Sequence, residues 1–171
     1  MTIKTGLVDA FQAAAKDCPL AAAVSLVGER WNFLILRATM LGLKHFDEYQ
    51  ACLGIARNVL SDRLGKLVNA DILKRESDPG DRRRIVYRLT DKGRGLLPAL
   101  VALRQWGLEC GYGGESHPTL VDRKQCEPVS EVEVRARDGR LLRPGDLTWV
   151  DKNGQVVHLP WADYIPASMQ S

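Results

Sequence analysis

Four side chains near the middle of the chain have the types and spacing to grip a polyanion and read its bases. Arg57, Asn58, Ser61 and Arg63 lie within ARNVLSDRLGKLVNA, residues 56–70. Arginine donates two bonds to guanine, asparagine pairs with adenine, and both of these and serine also hold phosphate oxygens. Lys44 lies upstream and the triplet Arg82, Arg83 and Arg84 downstream. A basic triplet on a hairpin tip reaches the backbone or a minor groove. Lys44 and His45 suit phosphate contacts. The plain alternative for these residues is a solvated helix face, with Arg63 pairing internally with an acid.

The elements that must position these groups can be read from periodicity. Val59, Leu60, Leu64, Leu67 and Val68 recur at the steps of an amphipathic helix. Arg57, Asn58, Ser61, Asp62 and Lys66 fall elsewhere on the wheel, and Arg63 lies near its apolar edge. Upstream, residues 45–53 (HFDEYQACL) read as a short helix with an Asp47…Gln50 capping-box spacing. Gly54 separates the two, as a helix-turn-helix requires. Downstream, residues 72–77 and 84–89 are strand-like runs around the turn Asp78-Pro79-Gly80-Asp81. Ile85, Tyr87 and Leu89 alternate with Val86 and Arg88, which predicts a half-buried strand. Thr90 is placed to cap a further helix. Helix, turn, helix, basic hairpin, helix is the order of a winged helix that binds DNA.

Composition narrows the classes. An apolar content of 45% supplies a packed core and argues against disorder. No apolar run reaches the roughly 18 residues of a membrane span, and the first residues lack a signal-peptide pattern, so a cytoplasmic protein with no membrane partner is expected. Charge is uneven. Residues 44–108 carry 13 basic and 8 acidic groups, a net +5, whereas residues 109–171 carry 7 and 10, a net −3. The basic excess sits on the helix pair and hairpin, where phosphates would be met.

Elsewhere, residues 5–16 read as an N-terminal helix. Pro19 opens a second helix with a Leu20, Val24 and Val27 stripe, ended by Gly28. Residues 31–41 (WNFLILRATML) are apolar on nearly every side, which predicts a central helix ended at residues 42–44. Residues 91–109 form a long apolar helix that Pro98 should kink or divide. Its apolar surface exceeds what so small a domain covers, and a homodimer explains it. Beyond the GYGG hinge at residues 111–114, alternation over 131–136 with Asp138-Gly139, and a pair of runs around Asn153-Gly154, predict hairpins. The fold class is therefore mainly α with a β-hairpin wing, plus a small β-rich C-terminal appendage. The expected domains are residues 1–110 and 115–165.

The segments Cys18-Pro19, Val27-Gly28-Glu29-Arg30-Trp31, Leu34-Ile35-Leu36-Arg37, Phe46, Asn58-Val59-Leu60-Ser61, Arg63-Leu64 and Tyr87-Arg88-Leu89-Thr90-Asp91-Lys92-Gly93 together resemble the HxlR family of bacterial transcriptional regulators. The resemblance runs from about Cys18 to Gly107. It implies a homodimer of winged helices on a pseudo-palindromic operator, and in some members the cysteine matching Cys18 senses oxidants or electrophiles. Two departures stand out. Ala56 replaces the Ser or Thr that often caps the recognition helix, which costs on the order of 1 kcal/mol. The tail resembles a longer branch with a cysteine-containing module. It keeps His117 and Cys126, but residues 135–139 (RARDG) stand where a C-x-x-C-G is expected. No metal and no cofactor are expected.

Cys18 reads two ways. A thiol at a helix N-terminus is shifted toward reactive thiolate, while Asp17 opposes this and a buried thiol would be inert. Cys52 is expected in the core, with Cys110 and Cys126 at the surface. A small-molecule effector pocket near Trp31, Phe33 and Trp106 is left open. His45, His117 and His158 are scattered without evident partners, and no nucleophile–base set appears, so an enzyme is not expected. The rival is a winged-helix interaction module without sequence-specific DNA binding.

Overall fold

The computed structural model describes residues 18–114, 118–150 and 153–156. The chain divides into two compact units, one spanning Lys16–Thr119 and one containing Leu120–Ser171. The helix expected over residues 5–16 lies outside the described residues, as do His117 and His158.

The first unit begins with α1 (Pro19–Val27), which has Pro in its first turn and ends at Gly28. Only the end of the expected stripe is covered within the chain: Val27 is buried, while Leu20 and Val24 are 69% and 53% exposed. α2 (Arg30–Met40) buries Asn32, Ile35, Leu36 and Ala38, as an all-round apolar sequence requires. The amide of Asn32 donates to Leu26 O at 2.9 Å and ties the two helices. Gly42, at φ 104°, turns the chain after α2.

α3 (Phe46–Leu53) and α4 (Arg57–Asn69) form the helix-turn-helix. Gly54, at φ 61°, makes the turn in the left-handed conformation that glycine adopts most readily. Tyr49 from α3 and Leu60, Leu64 and Leu67 from α4 fill the core beside Ile35 and Leu36. The capping box of α3 is shifted from the predicted one. Glu48 reaches back to the N–H groups of Lys44 and His45 at 2.8 and 2.9 Å, so the box runs 45–48 rather than 47–50.

The wing pairs β1 (Leu73–Ser77) with β2 (Ile85–Leu89) antiparallel, Leu73 opposite Leu89 and Ser77 opposite Ile85. Asp78 N–H donates to Arg84 O at 2.9 Å to close the tip. β2 differs from the half-buried expectation. Val86 is fully buried, Ile85, Tyr87 and Leu89 are half-buried and Arg88 is exposed, so the face opposite Tyr87 is covered at Val86 and open at Arg88. Tyr87 meets Tyr49 edge-on with ring centroids 6.4 Å apart.

Thr90 caps α5 (Asp91–Arg94) by accepting from Gly93 N–H at 3.0 Å. Gly93 is obligatory there, since a Cβ would collide with Ile72 O. Pro98 divides the long helix as expected: α6 (Leu97–Glu109) starts afresh with Pro in its first turn. None of its residues is fully buried, and Leu97, Leu103 and Trp106 are 49%, 49% and 54% exposed.

In the second unit, Gly139 and Gly154 turn the chain with positive φ. The isolated bridges Arg135–Leu141 and Val150–Val156 pair the chain around the two predicted turns, by single bridges rather than by strands. Val132 and Val134 remain 45% and 57% exposed, so the alternation has no apolar layer to cover. Where the resemblance would place a metal ligand, the Arg135 guanidinium donates to Gly139 O at 2.6 Å and to the Glu133 carboxylate at 2.6 and 2.9 Å. A cationic side chain tying the turn does not fit a zinc site.

Candidate nucleic-acid interface

α4 begins at Ala56, whose backbone is extended and whose side chain offers no cap. With Leu60, Leu64 and Leu67 held in the core, three- and four-residue spacing delivers the remaining positions to solvent. Asn58, Ser61, Asp62, Gly65, Lys66 and Asn69 line one shallow, open groove along the outward side. Lys66 Nζ pairs with the Asp62 carboxylate at 3.0 Å. Gly65 leaves open space, with no atom within 4 Å of where its Cβ would stand. The exposed amides, hydroxyl and ammonium of this groove are the donors and acceptors that base edges and phosphates recognise.

Arg63 stands apart from that groove. It pairs with Glu29 and is 17% exposed, so the internal ion pair left open by the sequence is formed. Arg57 is exposed, with its guanidinium 5.0 Å over the Phe46 ring.

The wing contributes cations unevenly. Arg84 donates to both Asp47 carboxylate oxygens at 3.1 and 3.2 Å. Lys44 Nζ lies 3.9 Å from the Asp78 carboxylate. Arg82 and Arg83 are exposed and have no ion-pair partner among the described residues.

His45 corrects the sequence reading most. Its side chain is 6% exposed and so is withdrawn from phosphates. It also has partners: Nδ1 lies 2.9 Å from Glu48 Oε1 and Nε2 lies 2.7 Å from Asp78 Oδ2. These hydrogen bonds raise its pKa above 6.5. Glu48 is lowered to about 2, chiefly by the Lys44 N–H and then by the His45 side chain and backbone. Asp78 is lowered by the Gly80 N–H and by His45. An N-cap His three residues before a Glu was a usable signal; the partnership with Asp78, 33 residues on, was not.

Among the cysteines, Cys18 occupies the N-cap position of α1 and is half-buried. Cys52 is exposed rather than core, because the stripe of this helix that meets the core is Phe46, Tyr49 and Leu53. Cys110 and Cys126 are exposed as expected. Trp31 and Phe33 pack partly buried against the core, whereas Trp106 is exposed and tilts against Tyr112 at 5.7 Å.

Comparison with known proteins agrees with this geometry. The uncharacterized HTH-type transcriptional regulator Rv3095 of Mycobacterium tuberculosis is 46% identical over 104 residues, which are 61% of this chain and 66% of that protein. The chain thus matches slightly less than two thirds of that relative's length. YvaP of Bacillus subtilis, also an uncharacterized HTH-type transcriptional regulator, is 37% identical over 54% of this chain and 87% of its own. Among solved structures, PA1607, a candidate transcription factor, superposes with a TM-score of 0.74 at 39% identity, covering 82% of this chain and 99% of that one. Among the described residues no helix is long and apolar enough to cross a membrane. The model of the HxlR-like helix-turn-helix matches residues 26–113, and the chain belongs to that family of DNA-binding regulators, which are not enzymes.

Proposed function

We propose that the protein is a homodimeric transcriptional regulator that occupies a pseudo-palindromic operator. The observation that carries this reading is the outward groove of α4, lined by Asn58, Ser61, Gly65 and Lys66, beside a wing whose Arg82 and Arg83 are exposed. Asn58 and Ser61 read bases, with Arg57 and Lys44 at the phosphates, and Arg82, Arg83 and Arg84 follow the backbone from the wing. The homodimer reading is supported by the exposed apolar positions Leu20 and Val24 of α1 and Leu97, Leu103 and Trp106 of α6. A two-fold pair would place two copies of α4 in successive major grooves, roughly 34 Å apart.

Cys18 is proposed as the responsive thiol, with an oxidant or electrophile as effector. It stands at the N-cap position of α1 without a side-chain cap bond, so an adduct there would alter the packing of the helix proposed to meet the partner subunit, and with it the spacing of the two reading helices.

The test is a gel shift on the upstream intergenic DNA, with and without diamide, beside light scattering of the free protein. Tight, salt-sensitive binding by a dimer supports the regulator. Loss of binding with diamide that persists in Cys18→Ser overturns the sensor role and leaves the regulator. Indifference to any duplex at low salt favours a winged-helix interaction module instead.

A further inference from the structure

The first turn of α3 is a junction. Its residue Phe46 lies under Arg57 of α4, Asp47 holds Arg84 of the wing, and Glu48 caps the backbone of Lys44 and His45. Lys44 O also accepts from Tyr87 N–H of β2 at 2.8 Å. His45 sits at the centre, bridging Glu48 of α3 and Asp78 at the base of the wing tip.

The chemistry of that bridge is constrained by counting protons. An ionised carboxylate only accepts hydrogen bonds, and neutral imidazole carries a single N–H. Two ring nitrogens, each within 3 Å of a carboxylate oxygen, can both be satisfied only when both donate. We propose that His45 is a positioning residue for DNA binding: its imidazolium fastens the wing to α3, and losing one ring proton releases one end of the clamp. This rests on the DNA-binding reading above and assigns that function a protonation requirement.

The charged groups around the ring favour the same state. Glu48 and Asp78 are the two anions in contact with it. Lys44 lies against Asp78, and Arg84, which opposes the imidazolium charge, is paired with Asp47. The proton is therefore held more tightly than by an ordinary histidine, whose pKa is 6.5, and the clamp is closed below that pH. It opens as pH rises through the raised value. Asp78 accepts from Gly80 N–H at 2.8 Å and precedes the exposed Arg82 and Arg83, so release loosens the cations proposed to follow the backbone.

The test measures affinity for a labelled random-sequence duplex at about 50 mM salt, from pH 6 to 9 at constant ionic strength. The wild-type protein is expected to lose affinity on the order of tenfold in a single-proton step, the scale of one charge-assisted hydrogen bond. His45→Gln is expected to stay at the weak, high-pH limit throughout, and His45→Arg to keep part of the affinity without the step. Should either variant fail to fold, the long-range nitrogen–proton NMR spectrum of the wild-type ring decides: two protonated nitrogens below pH 6.5 that give way to one as pH rises support the clamp, and a ring already neutral at pH 6 overturns it. Binding with the same pH profile in the wild type and His45→Gln overturns the positioning role and leaves DNA binding intact. No binding at any pH overturns both.

Discussion

The Arg63 guanidinium pairs with the Glu29 carboxylate, joining the middle of α4 to the residue that caps α2. A side chain that the sequence groups with the DNA contacts is thereby engaged within the protein, where it ties α4 to the start of α2. Arg63→Ala is expected to lower stability by about 1 kcal/mol in urea unfolding and to weaken all duplexes alike. Asn58→Ala, on the outward groove, is expected to leave the unfolding midpoint unchanged and alter preference among duplexes. A shift in base preference from Arg63→Ala at unchanged stability would return Arg63 to the reading face.

Arg82 and Arg83 extend from the wing tip without ion-pair partners among the described residues. Replacing either with Ala is expected to weaken binding to every sequence and to reduce the slope of log affinity against log salt by about 1. The slope, measured by fluorescence anisotropy, separates a phosphate contact from a solvated arginine, whose loss leaves it unchanged.

Ala56 already has the extended backbone of an N-cap, at φ −63° and ψ 139°, and lacks only the acceptor. Ala56→Ser is expected to stabilise the protein by about 1 kcal/mol, read as a higher urea midpoint at unchanged slope. A neutral or lower midpoint would mean that the first N–H groups of α4 are already served by water.

Glu48 has its pKa lowered from 4.5 to about 2. The stability it contributes is present above pH 4.5 and is lost as pH falls toward 2. The wild type should therefore exceed Glu48→Gln in stability at pH 6, with the gap narrowing steadily below pH 4.5. His45 acts with the opposite sign: its raised pKa gives stability below pH 6.5 that is lost as pH rises through the folded-state value. Comparing both variants with the wild type across pH 3 to 9 by urea unfolding checks the two signs together.

The helix-turn-helix and wing were legible because their signals are local. Gly54 at the turn, the tip residues 78–81, Thr90 as a cap and Pro98 as a boundary each act within a few residues of themselves. What escaped depended on contacts across long sequence separations. His45 could not be paired with Asp78 before the wing was folded back on α3. Val86 could not be told from Arg88 by alternation, since the two share one face of β2 and only Val86 is buried. Cys52 is exposed because the stripe that α3 turns to the core is Phe46, Tyr49 and Leu53. In the tail the alternation of Val132 and Val134 was genuine, but strands need a layer to pack on, and these side chains stay exposed.

Gly65 sits mid-helix on α4, with open space beyond it. Glycine there gives up roughly 1 kcal/mol of helix propensity relative to alanine, and no backbone angle or neighbouring atom demands it. The chain thus forgoes thermal robustness along the surface proposed to enter a groove. On the DNA-binding reading proposed above, what it would gain is clearance: at Gly65, between Ser61 and Asn69 in the same groove, no side chain would stand between the helix and a base pair's edge. Substitutions at this position should therefore trade melting temperature against recognition, with Gly65→Ala raising the first and, on the proposed reading, weakening the second.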